Sequence, residues 1–254
     1  MTKPILVANW KNHPKSLNEA RMLLRDLSRN ALRYKKVSFF IAPPLAYFES
    51  VASRAGSFYH LATQDMPPFF HGTYTGVVTP DILKSFGVRL VILGHSEQRA
   101  LGETNEAVSQ KIKTAFRSGI TPLVCVGETS RDQDGEHFEF LREQLKLSLA
   151  GLNRTTDARK LMLAYEPVWA IGKRAEDAII PADLAQSVIF IKKVLVDMFG
   201  RATAELIPVL YGGSVESDNA RALVSGTGIN GFLVGHASLD ARNFKIIASS
   251  LLGK

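Results

Sequence analysis

The segment at residues 161–172, LMLAYEPVWAIG, contains the pattern from which the fold can be inferred. It opens with an apolar run of strand length, and this run ends at a single carboxylate, Glu166. Pro167 stiffens the exit and Gly172 closes the apolar stretch that follows. A buried carboxylate binds its proton more tightly than one in water, which suits it to abstract protons near neutral pH. Taken alone, however, the segment is better explained as an ordinary strand end with a solvated glutamate.

Short apolar runs of this kind recur along the chain and alternate with helical patterns. We predict strands at residues 5–10, 37–42, 59–64, 90–93, 121–126, 161–165, 207–211 and 231–234. Eight strand–helix units over about 250 residues is the number that closes a parallel barrel. We therefore predict an α/β fold, a (β/α)8 barrel of eight parallel strands with outer helices, and a single domain at residues 1–254. A doubly wound open sheet is the alternative, but no Gly-x-Gly-x-x-Gly follows the first strand.

Two of the predicted helices have clear signals. Ser16 and Glu19 form a capping box, in which the two side chains bond free backbone amides. The helix that follows has a predicted buried stripe of Leu17, Ala20, Leu24 and Leu27. The last helix begins after Asp240, and its predicted stripe is Phe244, Ile247 and Leu251.

Composition limits the classes of protein that fit. With 254 residues, 46% of them hydrophobic, the chain can bury a large core. Cys125 is its one cysteine, which excludes an intramolecular disulfide and suits a reducing compartment. No apolar run is long enough for a signal peptide or a membrane span, so we predict a cytoplasmic protein without a membrane partner. The net charge of +7 is thinly spread and lacks an aromatic RNA-binding signature, so we predict no nucleic-acid partner.

Residues that follow the strands of such a barrel share one rim, where the chemistry is located. Asn9 and Lys11 follow the first predicted strand, and a lysine in the barrel mouth needs an anion to offset its desolvation. A surface lysine explains Lys11 equally well. His95 follows the fourth strand, and a core histidine is the simpler reading of His95 alone. Ser96 and Glu97 start a helix whose amide dipoles would keep the imidazole neutral.

Two glycine loops follow the seventh and eighth strands. They are YGGSV at residues 211–215 and VGHAS at residues 234–238. Glycines before a helix start let backbone amides approach a phosphate closely. One such loop is weak evidence, but barrels commonly bind phosphate after their last two strands.

These motifs together resemble the triosephosphate isomerase family. The similarity rests on ANWK at residues 8–11, GHSE at 94–97, CVGE at 125–128, the Glu166 segment and YGGSV at 211–215. They occur in the order and spacing of the family, and the similarity extends to GFLVG at residues 231–235. The resemblance implies a TIM barrel and an enzyme of glycolysis and gluconeogenesis.

The resemblance also implies a mechanism without metal or any other cofactor. Glu166 would remove a proton from the carbon next to the carbonyl of a phosphorylated triose. Neutral His95 would polarise the carbonyl and move protons among the oxygens. Lys11, helped by Asn9, would stabilise the enediolate charge. The reaction would interconvert dihydroxyacetone phosphate and glyceraldehyde 3-phosphate.

Further residues receive roles from the same resemblance. Backbone amides would hold the phosphate at Gly172, Ser214, Gly235 and His236. Ile171 and Leu233 would form an apolar pair over the base, and Glu97 and Tyr211 would be support residues. Thr75 would reach a neighbouring subunit's Asn9 in a homodimer.

The chain departs from the family pattern at several positions. Residues 173–180 form a longer, charged stretch where the family has a short hinge, so we predict a lid whose far hinge works differently. His236 stands where the family normally has glycine. Val77 and Gln98 replace the glutamate and arginine of an intersubunit ion pair, and losing both partners together can be nearly neutral. We therefore predict a homodimer without this bridge.

Two alternatives remain open at this point. The altered lid leaves room for a related four-carbon ketose phosphate as substrate. A non-catalytic phosphate-binding barrel is disfavoured because a binding module has no use for Lys11, His95 and Glu166 together.

Overall fold

Eight parallel strands form a closed barrel in the computed structural model, which describes residues 3–132, 134–152, 158–172 and 178–253. Each strand pairs with its sequence neighbours, and β8 pairs with β1 to close the sheet. The strands are β1 Ile5–Asn9, β2 Ser38–Ala42, β3 His60–Thr63, β4 Leu90–Leu93, β5 Thr121–Val126, β6 Met162–Tyr165, β7 Val209–Tyr211 and β8 Gly231–Val234. The predicted (β/α)8 barrel is confirmed.

Three strands, β4, β5 and β8, have the predicted bounds. The other five are shorter than predicted by one or two residues. Trp10, Val37 and Tyr59 are buried but lie outside the strands. Burial of an apolar side chain therefore extends beyond the paired segment at several strand ends.

Helices surround the barrel. Those of the described chain are α1 Leu17–Ser28, α2 Ala31–Tyr34, α3 Phe48–Ala52, α4 Pro80–Ser85, α5 Ser96–Ala100, α6 Asn105–Ser118, α7 Glu136–Ser148, α8 Pro181–Phe199, α9 Arg201–Ala204, α10 Ala220–Val224 and α11 Ala241–Ser250. Short 3-10 turns occupy Leu45–Tyr47, Ala158–Lys160, Val168–Ala170 and His236–Leu239. Within the described ranges, no helix is long and apolar enough to cross a membrane.

The capping box at the start of α1 is present. The Ser16 hydroxyl accepts from the Glu19 amide at 3.2 Å, and the Glu19 carboxylate accepts from the Lys15 amide at 3.1 Å. The predicted stripe is right for Ala20, Leu24 and Leu27, which are buried, but wrong for Leu17, which is 36% exposed. Leu17 is the first residue of α1, and Leu23 takes its place on the buried face.

Two apolar layers hold the barrel together, because successive strand residues point to opposite sides. Along β1, Ile5 and Val7 belong to the inner cluster, whereas Leu6 and Ala8 belong to the layer under the helices. The inner cluster comprises Ile5, Val7, Phe40, Ala42, Ala62, Leu90, Ile92, Leu123, Cys125, Ala164, Leu210 and Leu233. It fills the barrel, so the space for a ligand lies beyond the strand ends.

Candidate active site

The alternation along the strands carries two polar side chains into the barrel mouth. On β1 the inward positions Ile5 and Val7 are followed by Asn9. On β6 the inward Ala164 is followed two residues later by Glu166. Asn9 is 5% exposed and Glu166 is 2% exposed. Both polar groups therefore lie directly above the apolar filling of the barrel.

His95 follows β4 after a glycine that interrupts the extended backbone. Gly94 has a φ of 67°, in the left-handed region that favours glycine. A Cβ at this position would lie 2.7 Å from the Arg99 guanidinium, which donates to the carbonyls of Gly94 and Cys125. Gly94 thus permits both the turn to His95 and the close approach of Arg99.

A pocket of about 220 Å³ occupies the barrel mouth at the C-terminal ends of the strands. Ten of the residues predicted from sequence line it: Asn9, Lys11, His95, Glu166, Ile171, Gly172, Ser214, Leu233, Gly235 and His236. They come from widely separated parts of the chain, and the structure brings them together. Glu97, Tyr211 and Thr75 are not among the described lining residues.

His95 and Glu166 are neighbours in this pocket. The His95 Nε2 atom lies 3.3 Å from Glu166 Oε1, and the Ser96 amide donates to Glu166 Oε2 at 3.1 Å. The Glu97 amide donates to His95 Nδ1 at 3.2 Å. A nitrogen that accepts a hydrogen bond carries no proton, so the ring is neutral with its proton on Nε2. The imidazole N–H is therefore directed towards the carboxylate side of the pocket.

Both the side chain and the backbone of Lys11 form hydrogen bonds. Its Nζ atom lies 2.7 Å from Glu97 Oε1, and its amide donates to Asn9 Oδ1 at 3.0 Å. The Gln64 side chain donates to the Lys11 carbonyl at 2.7 Å and also to the Ala42 carbonyl. These bonds keep Lys11 at a φ of 53°, a conformation that costs a non-glycine residue about 1–2 kcal/mol.

Two glycines make room for Glu166, and sequence reasoning missed both roles. A Cβ on Gly212 would lie 2.8 Å from Glu166 Cγ. A Cβ on Gly127 would lie 1.8 Å from the Glu166 carbonyl oxygen. Both glycines stand in motifs that the sequence analysis quoted, but only the fold shows what they contact.

Glu128 is a third residue whose role sequence reasoning missed. It is 1% exposed, and its Oε1 atom accepts from Tyr165 Oη and Trp169 Nε1, both at 2.8 Å. The Glu128 carbonyl accepts from the Val168 amide at 2.9 Å. Burial, followed by the Glu128 charge, raises the pKa of Tyr165. Glu128 thereby fixes the backbone on both sides of Glu166.

The opposite side of the pocket is made of small residues. The Ser214 hydroxyl donates to the Ala170 carbonyl at 2.9 Å, which ties the β7 loop to the turn after Glu166. A Cβ on Gly213 would lie 2.2 Å from the Tyr211 hydroxyl oxygen, so the buried tyrosine supports this loop from below. Burial raises the pKa of Tyr211.

The residues that the sequence analysis assigned to the dimer contact are not among the described residues that line the pocket. Thr75 and Val77 are exposed on the loop after β3, and Gln98 is partly exposed in α5. In the predicted hinge, residues 173–177 lie outside the described residues.

In the part of the chain that is described, no group of three or more His, Cys, Asp or Glu side chains is placed to hold a metal ion.

Comparison with known proteins agrees with this geometry. The family model for triosephosphate isomerase matches residues 4–251. Triosephosphate isomerase of Citrifermentans bemidjiense is 40% identical over 253 residues, covering 97% of this chain and 98% of that protein. The enzymes of Moorella thermoacetica and Geobacter metallireducens are 39% and 41% identical, each over 98% of this chain and 99% of the relative. The chain therefore belongs to the triosephosphate isomerase family.

Proposed function

We propose that this protein interconverts dihydroxyacetone phosphate and D-glyceraldehyde 3-phosphate, as a triose-phosphate isomerase of glycolysis and gluconeogenesis. The observation that carries the proposal is the meeting of Glu166, His95 and Lys11 in one pocket. These groups come from the ends of β6, β4 and β1. A base, a neutral hydrogen-bond donor and a cation are what proton transfer next to a carbonyl requires.

Glu166 is the base in this proposal. Its carboxylate takes a proton from C1 of dihydroxyacetone phosphate, and the C–H electron pair forms a double bond to C2. The carbonyl π electrons move onto the C2 oxygen, which gives an enediolate. The same proton or one from solvent is then returned from Glu166 to C2. In the structure Glu166 Oε2 accepts from the Ser96 amide, and Oε1 lies 3.3 Å from His95 Nε2.

His95 and Lys11 act on the oxygens. The Nε2–H of His95 donates to the carbonyl oxygen as negative charge develops on it, and the ring moves the hydroxyl proton between O1 and O2. Lys11 stabilises the oxyanion, and Asn9 fixes the Lys11 backbone through its side-chain oxygen. Because Glu97 positions Lys11 before substrate arrives, this stabilisation costs little reorganisation. The reaction is redox-neutral overall and consumes no second substrate.

The phosphate binds on the glycine side of the pocket in this proposal. Backbone amides at Gly172, Ser214, Gly235 and His236 point to the anion without a side chain between them. Ile171 and Leu233 supply an apolar surface near the base, which excludes water. Water exclusion matters because a solvated enediolate next to a phosphate ester can expel phosphate.

A coupled assay on the purified protein tests this function. The protein is given dihydroxyacetone phosphate, and glyceraldehyde 3-phosphate is detected through a dehydrogenase. We expect turnover without added metal and in the presence of a chelator. A four-carbon ketose phosphate assayed in parallel measures the main alternative, which is correct if that substrate gives the larger kcat/KM. Phosphate binding without turnover of either sugar would identify a non-catalytic barrel.

We further propose that residues 1–254 form one domain and that the protein is a cytoplasmic homodimer. The exposed loop that carries Thr75 is the surface proposed to contact the partner subunit. Val77 and Gln98 leave that contact without the charged pair expected for the family. Light scattering during gel filtration tests the assembly, and an active monomer would contradict it.

A further inference from the structure

The charges of the pocket are poorly matched to a phosphorylated substrate. Among its described lining residues, Lys11 is the only lysine or arginine, and it stands against two carboxylates, Glu166 and Glu216. Lys11 is also already paired with Glu97. A phosphate monoester carries up to two negative charges near neutral pH, because its second pKa is about 6. The fixed side-chain charges of the described lining therefore do not offset the charge of the substrate.

Two histidines line the same pocket and could supply a further positive charge. His95 is 7% exposed, its Nδ1 accepts from the Glu97 amide and its Nε2 lies 3.3 Å from Glu166, so both ring nitrogens already have a neighbouring partner. His236 differs from His95 in its exposure and in its contacts. It is exposed, it begins the turn His236–Leu239 after β8, and no described residue forms a hydrogen bond or ion pair with its imidazole.

His236 also lies on the side of the pocket proposed for the phosphate. It directly follows Gly235, where a Cβ would lie 3.4 Å from Lys11 Cε. Gly213 and Ser214 line the pocket alongside it. A histidine at this position adds an imidazole to a side of the pocket where glycines leave the backbone amides accessible.

We propose that the His236 imidazole is a titratable cationic contact for the substrate phosphate, so that it tightens substrate binding as the pH falls. The inference rests on the function proposed above and assigns the side chain a role separate from that of its backbone amide. Imidazole is the side chain whose charge changes between about pH 5 and 8. The charged groups that share its pocket are Lys11, Glu166 and Glu216, with His95 as the other titratable ring.

The sign of the pH effect follows from linkage. An anion that binds next to His236 favours the protonated ring, so the complex binds a proton more tightly than the free enzyme does. Binding is therefore strengthened where the ring is protonated and is unaffected where the ring is neutral. Protonation of the substrate phosphate also changes KM, but it does so equally for the wild-type enzyme and for a variant. The ratio of the two KM values isolates the contribution of His236.

The experiment compares the wild-type enzyme with His236→Asn and His236→Lys in steady-state kinetics with dihydroxyacetone phosphate. At about pH 6 we expect the KM of His236→Asn to exceed that of the wild type by about three- to fivefold, the size of an exposed charge contact. At about pH 8 the two KM values should agree within about 1.5-fold. His236→Lys carries a permanent charge and should restore a low KM at both pH values. The kcat should stay similar in all three proteins.

The control is His60→Asn. His60 is the half-buried first residue of β3, at the opposite end of the strand from the pocket, and is not among the described lining residues. We expect this variant to match the wild type at both pH values. Inorganic phosphate, used as a competitive inhibitor, should show the same pattern in its inhibition constant.

The possible outcomes separate this inference from the proposed function. If the wild-type protein has no isomerase activity, the proposed function is wrong, and phosphate binding alone still measures the effect of His236. If the wild type is active and the KM ratio stays near one at about pH 6, the inference about His236 is wrong. A ratio that is raised equally at both pH values would also contradict it, because it would indicate a steric role and not a charge.

Discussion

The two sides of the pocket differ in the groups they present. On the side of β1, β4 and β6 the structure places charged or polar side chains, and each is held by a named partner: Lys11 by Glu97, and Glu166 by the Ser96 amide. On the side of β7 and β8 the described lining is made mainly of small or apolar residues, and its polar side chains are those of Ser214, Glu216 and His236. Proton transfer requires catalytic side chains at fixed positions. An anion, in contrast, can be bound by backbone amides, and these are accessible where the neighbouring side chains are small.

Because the two sides of the pocket present different groups, substitutions on each side should change different kinetic constants. Changes on the β1, β4 and β6 side should lower kcat, because they disturb groups that act on the reacting atoms. Changes on the β7 and β8 side should raise KM, unless the new side chain reaches across the pocket. The following variants test this division.

The largest effect is expected from Glu166→Gln. The amide keeps the shape of the side chain but cannot accept the substrate proton. We expect kcat to fall by about 10²–10⁴, the usual contribution of a general base, with little change in KM. Circular dichroism and thermal melting should show an intact fold. A kcat close to that of the wild type would remove Glu166 from the mechanism.

Gly212→Ala tests a substitution on the β7 side that should lower kcat, because the new side chain would reach Glu166. Gly212 belongs to the β7 loop, but a methyl group there would lie 2.8 Å from Glu166 Cγ and would push the base aside. We expect a fall in kcat of about 10–10² because small displacements of catalytic groups are costly. If only KM rises, the glycine serves the phosphate and not the base. Gly235→Ala is the matched comparison, since its Cβ would lie 3.4 Å from Lys11 Cε and near no other described side chain.

Glu97→Gln should have a smaller effect on the same side of the pocket. It removes the charge that pairs with Lys11 but leaves the backbone amide that donates to His95. We expect kcat to fall by about tenfold, since Lys11 loses its fixed position but keeps its charge. The measurement is kcat and KM over a series of salt concentrations. A change confined to KM would place Lys11 at the phosphate and not at the enediolate.

Tyr165→Phe should have the smallest effect on turnover, and its main effect should be on stability. The variant removes one of the two donors to Glu128 Oε1 and leaves Trp169 in place. We expect the free energy of unfolding to fall by about 1 kcal/mol, and Tm by about 2–4 °C. Thermal and urea unfolding measure it. An unchanged Tm would show that the Glu128 contacts do not stabilise the strand end.

Much of the fold could be predicted from sequence because the barrel repeats one simple pattern. The runs at 90–93 and 231–234 lie between polar residues or glycine, and the run at 121–126 is followed by Gly127, so the sequence indicates where these strands end. The run at 207–211 was predicted two residues too long, because Ile207 is buried without being part of the ladder. Leu17 was assigned to a buried face by spacing alone, although it is the first residue of its helix.

The pocket could be predicted only in part. Lys11, His95 and Glu166 follow apolar runs, and parallel strands bring such positions to one rim. Contacts within the rim depend on barrel geometry and not on local pattern. Nothing in the sequence indicates that Gly212 touches Glu166, or that Glu128 binds two side chains from the next strand and turn.

The pairing of β1 with β8, in which Ile5 lies opposite Gly231, has a consequence for synthesis of the protein. During translation Lys11 leaves the ribosome long before Gly235, yet both residues line one pocket. A growing chain that has not reached β8 has an open sheet with two unpaired edges, which invite aggregation. Chaperone protection should therefore matter until β8 has emerged and paired with β1, and a fragment lacking β8 should be inactive and insoluble.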